Sequence, residues 1–319
     1  MYPNTGARRQ YCRYNAGMAA RFFQNTIALV YDFDGTLSPQ PMQEYTVLPK
    51  IGVEPAQFWA RVDRDARATQ SDKMLVYMRH ILEALEHAKV DVKREDFAAM
   101  ARQIEYFPGV QTWFARMNAY VKRRSKGHVN LRHYLISAGQ REILEGVSIR
   151  KQFQRIYASE YHFDHHGVAT FPKVLVTDTM KTQFLFRINK GIEDVTESIN
   201  EHMPEVERPI PFHNMVYLGD GMTDVPSMAL MKKSGGFAVA VYDAVKARER
   251  AVCVKLLQAG RVDYVAEADY RRGSRLARRV ELLLDAIIAG VAYRREAFEC
   301  VEENRSPRTS RARGRGRTR

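Results

Sequence analysis

Residues 26–36 read TIALVYDFDGT, an apolar run that ends in two aspartates and a glycine. A continuous apolar run of this length is typical of a strand buried on both faces of a parallel sheet. Asp32 and Asp34 stand two residues apart at its end, so both side chains can lean toward one crevice while Gly35 lets the chain turn away. Ligands bind at such strand ends in open α/β sheets. The stretch predicts a central strand with a ligand site at its carboxyl end.

Shorter apolar runs and helical patterns alternate along the rest of the chain. The runs predict four further strands, at His133–Ser137, Met215–Leu218, Phe237–Tyr242 and Val262–Ala266. Apolar residues at helical spacing predict helices over Trp113–Lys122, Phe184–Ile199 and Leu276–Val291. Alternating strands and helices predict the α/β class, a doubly wound parallel sheet with a Rossmann-type core.

Residues 41–105 interrupt this alternation. They contain a helical apolar stripe that includes Met74, Tyr77, Ile81 and Leu85, and no convincing strand. We therefore expect a helical cap at 41–105, inserted into an α/β core formed by residues 26–40 and 106–300.

The net charge of +13 lies mostly at the two ends of the chain. Residues 1–25 carry four arginines and residues 305–319 carry seven, with no acid in either, which leaves about +2 for residues 26–304. We expect a poorly ordered basic leader at 1–25, which also resembles a transit peptide, and a disordered Arg-rich tail at 301–319. The tail is a candidate for accessory contact with nucleic acid or an acidic partner.

Composition excludes several other classes of protein. The sequence has no apolar run long enough to span a bilayer and no apolar secretory signal, so we expect a cytoplasmic protein without membrane contact. Three widely spaced cysteines predict neither a disulfide framework nor a zinc site. No Gly-rich P-loop occurs, and Asp224 occupies the third glycine position of a dinucleotide fingerprint.

A second acidic cluster follows the predicted strand at Met215–Leu218. Residues 219–224 read GDGMTD, and the glycines let the backbone bend so that Asp220 can face Asp32. Carboxylate oxygens are the ligands that Mg²⁺ prefers in proteins. We expect the two clusters to supply a magnesium site, with Asp224 orienting waters or the nucleophile.

The two carboxyl groups of the first cluster, Asp32 and Asp34, are expected to have different chemical roles. Two carboxylates this close repel, so at least one has a raised pKa unless a cation is bound. An ionised Asp32 can attack phosphorus, and a protonated Asp34 can donate its proton to the leaving group.

A nucleophilic carboxylate that attacks a phosphate ester also needs cationic and hydrogen-bonding help. Ser137 ends a predicted strand, where its hydroxyl and the backbone N–H groups that follow, beginning with Ala138, are expected to hold phosphate oxygens. Lys181 precedes a predicted helix, and its ammonium group would screen the attacking carboxylate from the substrate's charge. Lys190 is a rival for this role, because the stretch from Lys181 to Asp220 is long.

These residues, in this order and each at a strand end, resemble the four motifs of the haloacid dehalogenase superfamily, particularly its phosphoserine-phosphatase-like branch. The resemblance implies an aspartyl-phosphate on Asp32 and makes Asp34 first the acid and then the base that activates water. It also implies that Asp32, Asp220 and the backbone carbonyl of Asp34 surround Mg²⁺, and that Ser137 and Lys181 bind the phosphoryl group.

The resemblance covers residues 26–290 and includes the position of the cap between the first two motifs. It predicts a Mg²⁺-dependent phosphatase that acts on a small phosphorylated metabolite. Residues 38–44, SPQPMQE, do not align with the segment that holds the substrate's amino group in phosphoserine phosphatases, so the ester stays open.

Other readings of the sequence remain open beside this one. The same covalent intermediate would serve a phosphotransferase, and a catalytically quiet scaffold that binds RNA through its arginine tail is a third hypothesis. His162, Asp164, His165 and His166 look like transition-metal ligands, but the sequence favours a polar loop between two extended segments there.

Overall fold

The computed structural model describes residues 21–89 and 92–305. Within these residues seven strands form one sheet in the order β4-β3-β2-β1-β5-β6-β7. All neighbouring strands run parallel except β3 and β4, which pair antiparallel. This arrangement confirms the predicted doubly wound α/β fold.

The strands are β1 Thr26–Tyr31, β2 Asn130–Gln140, β3 Arg155–Phe163, β4 Ala169–Val174, β5 Met215–Gly219, β6 Phe237–Tyr242 and β7 Tyr264–Glu267. The first six helices are α1 Met42–Tyr45, α2 Val47–Lys50, α3 Pro55–Thr69, α4 Lys73–His87, α5 Arg94–Met100 and α6 Val110–Arg124. The others are α7 Arg141–Leu144, α8 Lys181–Lys190, α9 Val225–Lys233, α10 Ala247–Gln258 and α11 Arg275–Arg305.

Strand β1 lies at the centre of the sheet, and all six of its residues are buried. Ile27, Leu29 and Tyr31 face one hydrophobic core, which includes residues of α6 and α11. Ala28 and Val30 face the other core, which includes residues of α8 and α9. Because β1 pairs with β2 on one side and β5 on the other, the chain reverses its direction of travel across the sheet here. A ligand crevice forms at such a reversal, beyond the carboxyl ends of the strands.

Several predicted boundaries were wrong. The helix predicted over Phe184–Ile199 ends at Lys190, because Gly191 adopts a left-handed conformation with φ 67° and terminates it. The strand predicted to end at Ser137 continues to Gln140, and the next helix begins only at Arg141. Strands β3 and β4 correspond to the two extended segments predicted on either side of the polar loop, although their bounds were not predicted.

Residues 41–105 contain α1 to α5 and no strand in their described part. Two tyrosines join α4 to the sheet. Tyr77 donates a hydrogen bond to the Ala138 carbonyl at 3.1 Å, and Tyr161 donates one to the Met78 carbonyl at 3.0 Å. The helical segment is therefore fastened beside the carboxyl end of β2.

The predicted leader and tail fall largely outside the described residues, the leader at 1–20 and the tail at 306–319. Residues 301–305, predicted as part of a disordered tail, form the last turn of α11. None of the helices in the described part of the chain is long and apolar enough to cross a membrane.

Candidate active site

The loops after β1 and β5 meet at the carboxyl edge of the sheet. The Asp32 N–H donates to the Leu218 carbonyl at 2.9 Å, which fixes the two strand ends against each other. Gly35 turns the first loop with φ +75°, and a Cβ at this position would lie 2.4 Å from the Asp220 carboxylate. Only glycine therefore allows Asp220 to approach the first loop.

Asp32, Asp220 and Asp224 form one cluster of carboxylates. Each offers an oxygen that lies within 4.8 Å of an oxygen of the other two. Lys181, at the start of α8, reaches this cluster and is 1% exposed. Its Nζ lies 3.0 Å from Asp32 Oδ1 and 2.7 Å from Asp224 Oδ1. The structure thus brings together three predicted acidic residues and the preferred lysine.

Asp224 is held by three donors. Its Oδ1 accepts hydrogen bonds from Lys181 and, at 2.6 Å, from the Tyr217 hydroxyl. Its Oδ2 accepts the Asp220 N–H at 3.1 Å. Gly219 makes room for this arrangement, since a Cβ there would lie 2.2 Å from Asp224 Oδ2. Asp224 therefore positions the lysine and the Asp220 loop.

Burial and mutual repulsion dominate the electrostatics of the cluster. Burial raises the pKa of Asp32 to about 7, although the Lys181 ammonium opposes this and repulsion from Asp224 adds to it. Burial, then repulsion from Asp224 and Asp32, raises the pKa of Asp220 well above its usual range. For Lys181, burial lowers the pKa, but Asp224 and Asp32 outweigh burial and keep the pKa raised.

Asp34 occupies a separate position beside the helical segment. Its Oδ1 accepts the Met42 N–H, at the start of α1, at 2.9 Å. Burial and the nearby Asp32 carboxylate raise the pKa of Asp34 to about 8, although the Met42 N–H opposes the shift. These effects favour the protonated form of Asp34, which is the form that can donate a proton.

Ser137 lies inside β2, 1% exposed, rather than at a strand end followed directly by a helix. Its Oγ accepts the Gly139 N–H at 3.0 Å. This bond leaves the hydroxyl proton free, and no acceptor for it lies among the described residues. The register between β2 and β3 shifts between Ile136 and Gln140. Ser137 and Ala138 therefore stand where regular pairing is interrupted.

Lys190 does not share the site of Lys181. Its Nζ donates to the backbone carbonyls of Ile199 and Glu201, at 2.6 and 2.7 Å. The structure thus places Lys181, and not Lys190, against Asp32.

The histidine cluster does not gather into a metal site in the described part of the chain. The Asp164 carboxylate accepts backbone N–H groups of His166 and Val168, as in a turn, and His162 contacts Thr170. Among the described residues, Asp32, Asp220 and Asp224 are the group whose ligand atoms converge.

Sequence reasoning missed three contributors to the site. Tyr217 belongs to an apolar run, so nothing marked its hydroxyl as a donor to Asp224. Tyr77 was assigned to an apolar stripe, yet its raised pKa, caused first by burial, is also influenced by the Asp34 carboxylate nearby. The Met42 N–H is a backbone group, which residue types cannot reveal.

The family model described as haloacid dehalogenase-like hydrolase matches residues 29–229, a span that includes both acidic clusters, Ser137 and Lys181. The chain belongs to this family. An uncharacterized protein of Borreliella burgdorferi is 26% identical over 278 residues, which are 79% of this chain and 94% of that protein.

Two solved structures share the fold of this haloacid dehalogenase-like hydrolase. One is a phospho-aspartyl intermediate analogue of phosphoserine phosphatase, with TM-score 0.50 and 15% identity, covering 81% of this chain and 99% of that chain. The other is an unliganded probable phosphoserine phosphatase from Vibrio cholerae, with TM-score 0.52 and 13% identity, covering 85% and 68% of the two chains. The predicted resemblance to the phosphoserine-phosphatase-like branch is thereby confirmed at the level of family and fold.

Proposed function

We propose that this hydrolase is a Mg²⁺-dependent phosphatase that cleaves a small phosphomonoester through an aspartyl-phosphate on Asp32. The observation that carries the proposal is the contact of the buried Asp32 with Lys181, close to the carboxylate of Asp220. Family membership supports hydrolysis. The likeness to solved phosphoserine phosphatases supports only the fold.

The residues present fit a hard divalent cation. The converging donors are all carboxylate oxygens, which favour Mg²⁺ over the transition metals that prefer nitrogen or sulfur. Burial, with repulsion between neighbouring carboxylates, raises the pKa values of Asp32 and Asp220, and a bound cation would favour their ionised forms. Asp32 and Asp220 would hold the ion, with the backbone carbonyl of Asp34 as a further ligand. Asp224, which already accepts three hydrogen bonds, would support them.

When bound, Mg²⁺ would neutralise carboxylate charge and the charge on the phosphoryl oxygens. The chain's own residues would carry out the covalent steps. An ionised Asp32 oxygen attacks phosphorus, and the bond to the ester oxygen breaks. Asp34 gives its proton to that oxygen, which leaves as an alcohol.

The second half-reaction returns the enzyme to its starting state. Asp34, now a carboxylate, takes a proton from water as the water oxygen attacks phosphorus. The bond between phosphorus and Asp32 breaks, phosphate leaves, and Asp34 is again protonated. A pKa of about 8 suits a residue that must alternate between acid and base near neutral pH.

The transferring phosphoryl group would be held by Ser137, the Ala138 N–H and Lys181. The Ser137 hydroxyl has a proton to donate, because its oxygen already accepts the Gly139 N–H. Lys181 contributes a fixed charge, since two carboxylates keep it protonated and in place. Such preorganised donors stabilise the charge that develops on the phosphoryl oxygens.

The helical segment at 41–105 would act as a cap over a small substrate and exclude water from the phosphoenzyme. Tyr77 supports this role, because it donates a hydrogen bond to the Ala138 carbonyl and lies close enough to Asp34 for the carboxylate to contribute to its raised pKa. The Arg-rich tail, proposed as an accessory contact for nucleic acid or an acidic partner, belongs to residues outside the described part.

The proposal is tested by screening phosphate esters with Mg²⁺ and comparing wild type with Asp32→Asn. The variant keeps the size of the side chain but loses the nucleophile, so phosphate release should fall to background. Denatured wild type, trapped during turnover, should carry phosphate on Asp32 and the variant should carry none. Wild-type rates in the variant would refute the proposal. Phosphate transfer to added alcohols would instead favour a phosphotransferase.

A further inference from the structure

Helix α11 presents a long exposed stripe along one side. The helix has 31 residues, and those that share the stripe are Arg275, Arg278, Leu282, Ala286, Ala289, Tyr293, Glu296 and Cys300. Steps of three and four residues place them within about 40° of one line. Leu282 is 54% exposed and Tyr293 is 74% exposed. Large apolar side chains are thus left in solvent on both sides of two alanines.

Charged residues near the two ends of α11 oppose the dipole of the helix. Arg275 and Arg278 lie in the first turn, where the positive end of the macrodipole repels cations. Glu303 lies in the last turn, where the negative end repels anions. None of these three forms an ion pair with another described residue. This placement of charges does not stabilise the helix on its own. It suits a partner helix that runs in the opposite direction.

A second copy of α11 placed antiparallel covers the apolar residues of the stripe and provides Arg278 with an acidic neighbour. With a two-fold axis between residues 287 and 288, Leu282 lies opposite Tyr293 of the second copy, and Ala286 lies opposite Ala289. The alanines at the crossing allow the two helices to approach closely. The interface is isologous, as closed dimers require.

The same axis also brings one pair of opposite charges together. Arg278 then lies beside Glu296 of the second copy, and Arg275 lies beside Cys300. Each contact occurs twice by symmetry. We propose that the exposed stripe of α11 is the interface of an antiparallel homodimer of this hydrolase.

Other occupants fit the stripe less well. A nucleic acid or an anionic membrane would meet arginines at one end but glutamates at the other. The leader and tail of the chain carry no acid, so they would compensate only the glutamate end. A second copy alone supplies both signs of charge in the required order.

Sedimentation velocity of the full-length chain over a range of concentrations tests the proposal. Wild type should sediment as a dimer, and Ala289→Glu should raise the dissociation constant by about 100-fold, because it buries like charges beside the axis. Ala292→Glu is the matched control. It makes the same change at an exposed position about 100° around the helix from Tyr293, and it should leave the dimer intact. A wild-type monomer at every concentration, or equal effects of the two variants, would overturn the proposal.

Charge reversal separates this interface from a general loss of solubility. Arg278→Glu and Glu296→Arg should each weaken the dimer on the order of tenfold, because each creates two like-charge contacts. The double variant should recover most of the loss. Additive losses in the double variant would contradict the antiparallel pairing.

Oxidative cross-linking fixes the direction of the helices. With Cys12 replaced by serine throughout, Arg275→Cys should form a disulfide-linked dimer through Cys300, and the same variant with Cys300→Ser should not. The form that retains Arg275 and Cys300 should stay uncrosslinked. A cross-link in that form would indicate parallel helices and overturn the proposal.

Discussion

Replacing Lys181 by methionine removes the ammonium group that contacts both Asp32 and Asp224 and leaves a side chain of similar length. Lys181 is 1% exposed, and its two contacts are 3.0 and 2.7 Å long. Removing one partner from a buried ion pair costs about 3–5 kcal/mol, because the remaining charge is buried without compensation. We expect a loss of this size at pH 8 without Mg²⁺.

The loss should shrink at lower pH. Without Lys181, the pKa of the buried carboxyls rises further above the value of about 3.9 that aspartate has in an unfolded chain. A carboxyl with a raised folded pKa destabilises the fold above its unfolded pKa, so the fold regains stability as the pH falls. If the folded variant binds one proton more than folded wild type, its penalty in the free energy of unfolding shrinks by about 1.4 kcal/mol for each unit that the pH falls. Between pH 8 and 5.5 this amounts to about 3 kcal/mol.

Urea unfolding of wild type and variant in EDTA at the two pH values measures this difference. Lys190→Met is the matched control, because Lys190 donates only to two backbone carbonyls. It should cost about 1–3 kcal/mol with no dependence on pH. Phosphatase turnover should fall about 10²–10³-fold in the Lys181 variant and stay unchanged in the control. Equal penalties for Lys181→Met at pH 8 and 5.5, or a greater loss of turnover in the control, would refute the reasoning.

Four further perturbations probe other parts of the molecule. Asp34→Asn should slow the hydrolysis of alkyl phosphates about 10²–10⁴-fold and that of aryl phosphates much less, because only the alkyl leaving group needs a proton. Equal losses for the two classes of ester would argue against Asp34 as the acid. Gly35→Ala should abolish turnover, because the new Cβ would lie 2.4 Å from the Asp220 carboxylate. Gly127 also has a positive φ, of +81°, but a Cβ there would meet no atom within 4 Å, so Gly127→Ala should only lower the melting temperature modestly. Mg²⁺ should raise the melting temperature of wild type, and Asp220→Asn should remove most of this response. Burial lowers the pKa of His133 to about 3, so below pH 6.5 the unfolded chain binds a proton at this residue and the folded chain does not. The free energy of unfolding should therefore fall by about 1.4 kcal/mol per pH unit below pH 6.5, and the unfolding of His133→Gln should lack this slope.

The central part of the site was predictable because it depends on local signals. A buried strand followed by Asp, Asp and Gly marks a position at the sheet edge, and the same pattern recurs at Asp220. Parallel strands that share an edge then bring the two clusters together. Lys181 was singled out for another local reason, its position before a predicted helix, and it contacts Asp32 at 3.0 Å.

The rest depended on contacts that no local pattern carries. Ile192, Val195 and Ile199 stand at helical spacing, yet Gly191 ends the helix before them. The carbonyls of the loop that follows are instead satisfied by cations from α8. The Arg187 guanidinium donates to four of them, and Lys190 donates to two others.

Ser137 shows why strand ends were harder to place than strands. The run HYLIS predicts a strand, but the three residues that follow it, Ala138, Gly139 and Gln140, remain in β2. Gln140 is buried and donates to the Tyr161 hydroxyl, which in turn donates to the Met78 carbonyl of α4. The extension of the strand therefore depends on a distant helical segment.

The same segment also acts on the chemistry of the site through Asp34. The Met42 N–H at the start of α1 donates to the Asp34 carboxylate, and this bond lowers a pKa that burial and Asp32 raise. Withdrawing the N–H would make Asp34 a weaker acid and a stronger base. With the helical segment in place, Asp34 is thus a better proton donor, as the proposed first step requires. A cap that covered the site without this bond would exclude water equally well but would not tune the proton that the leaving group needs.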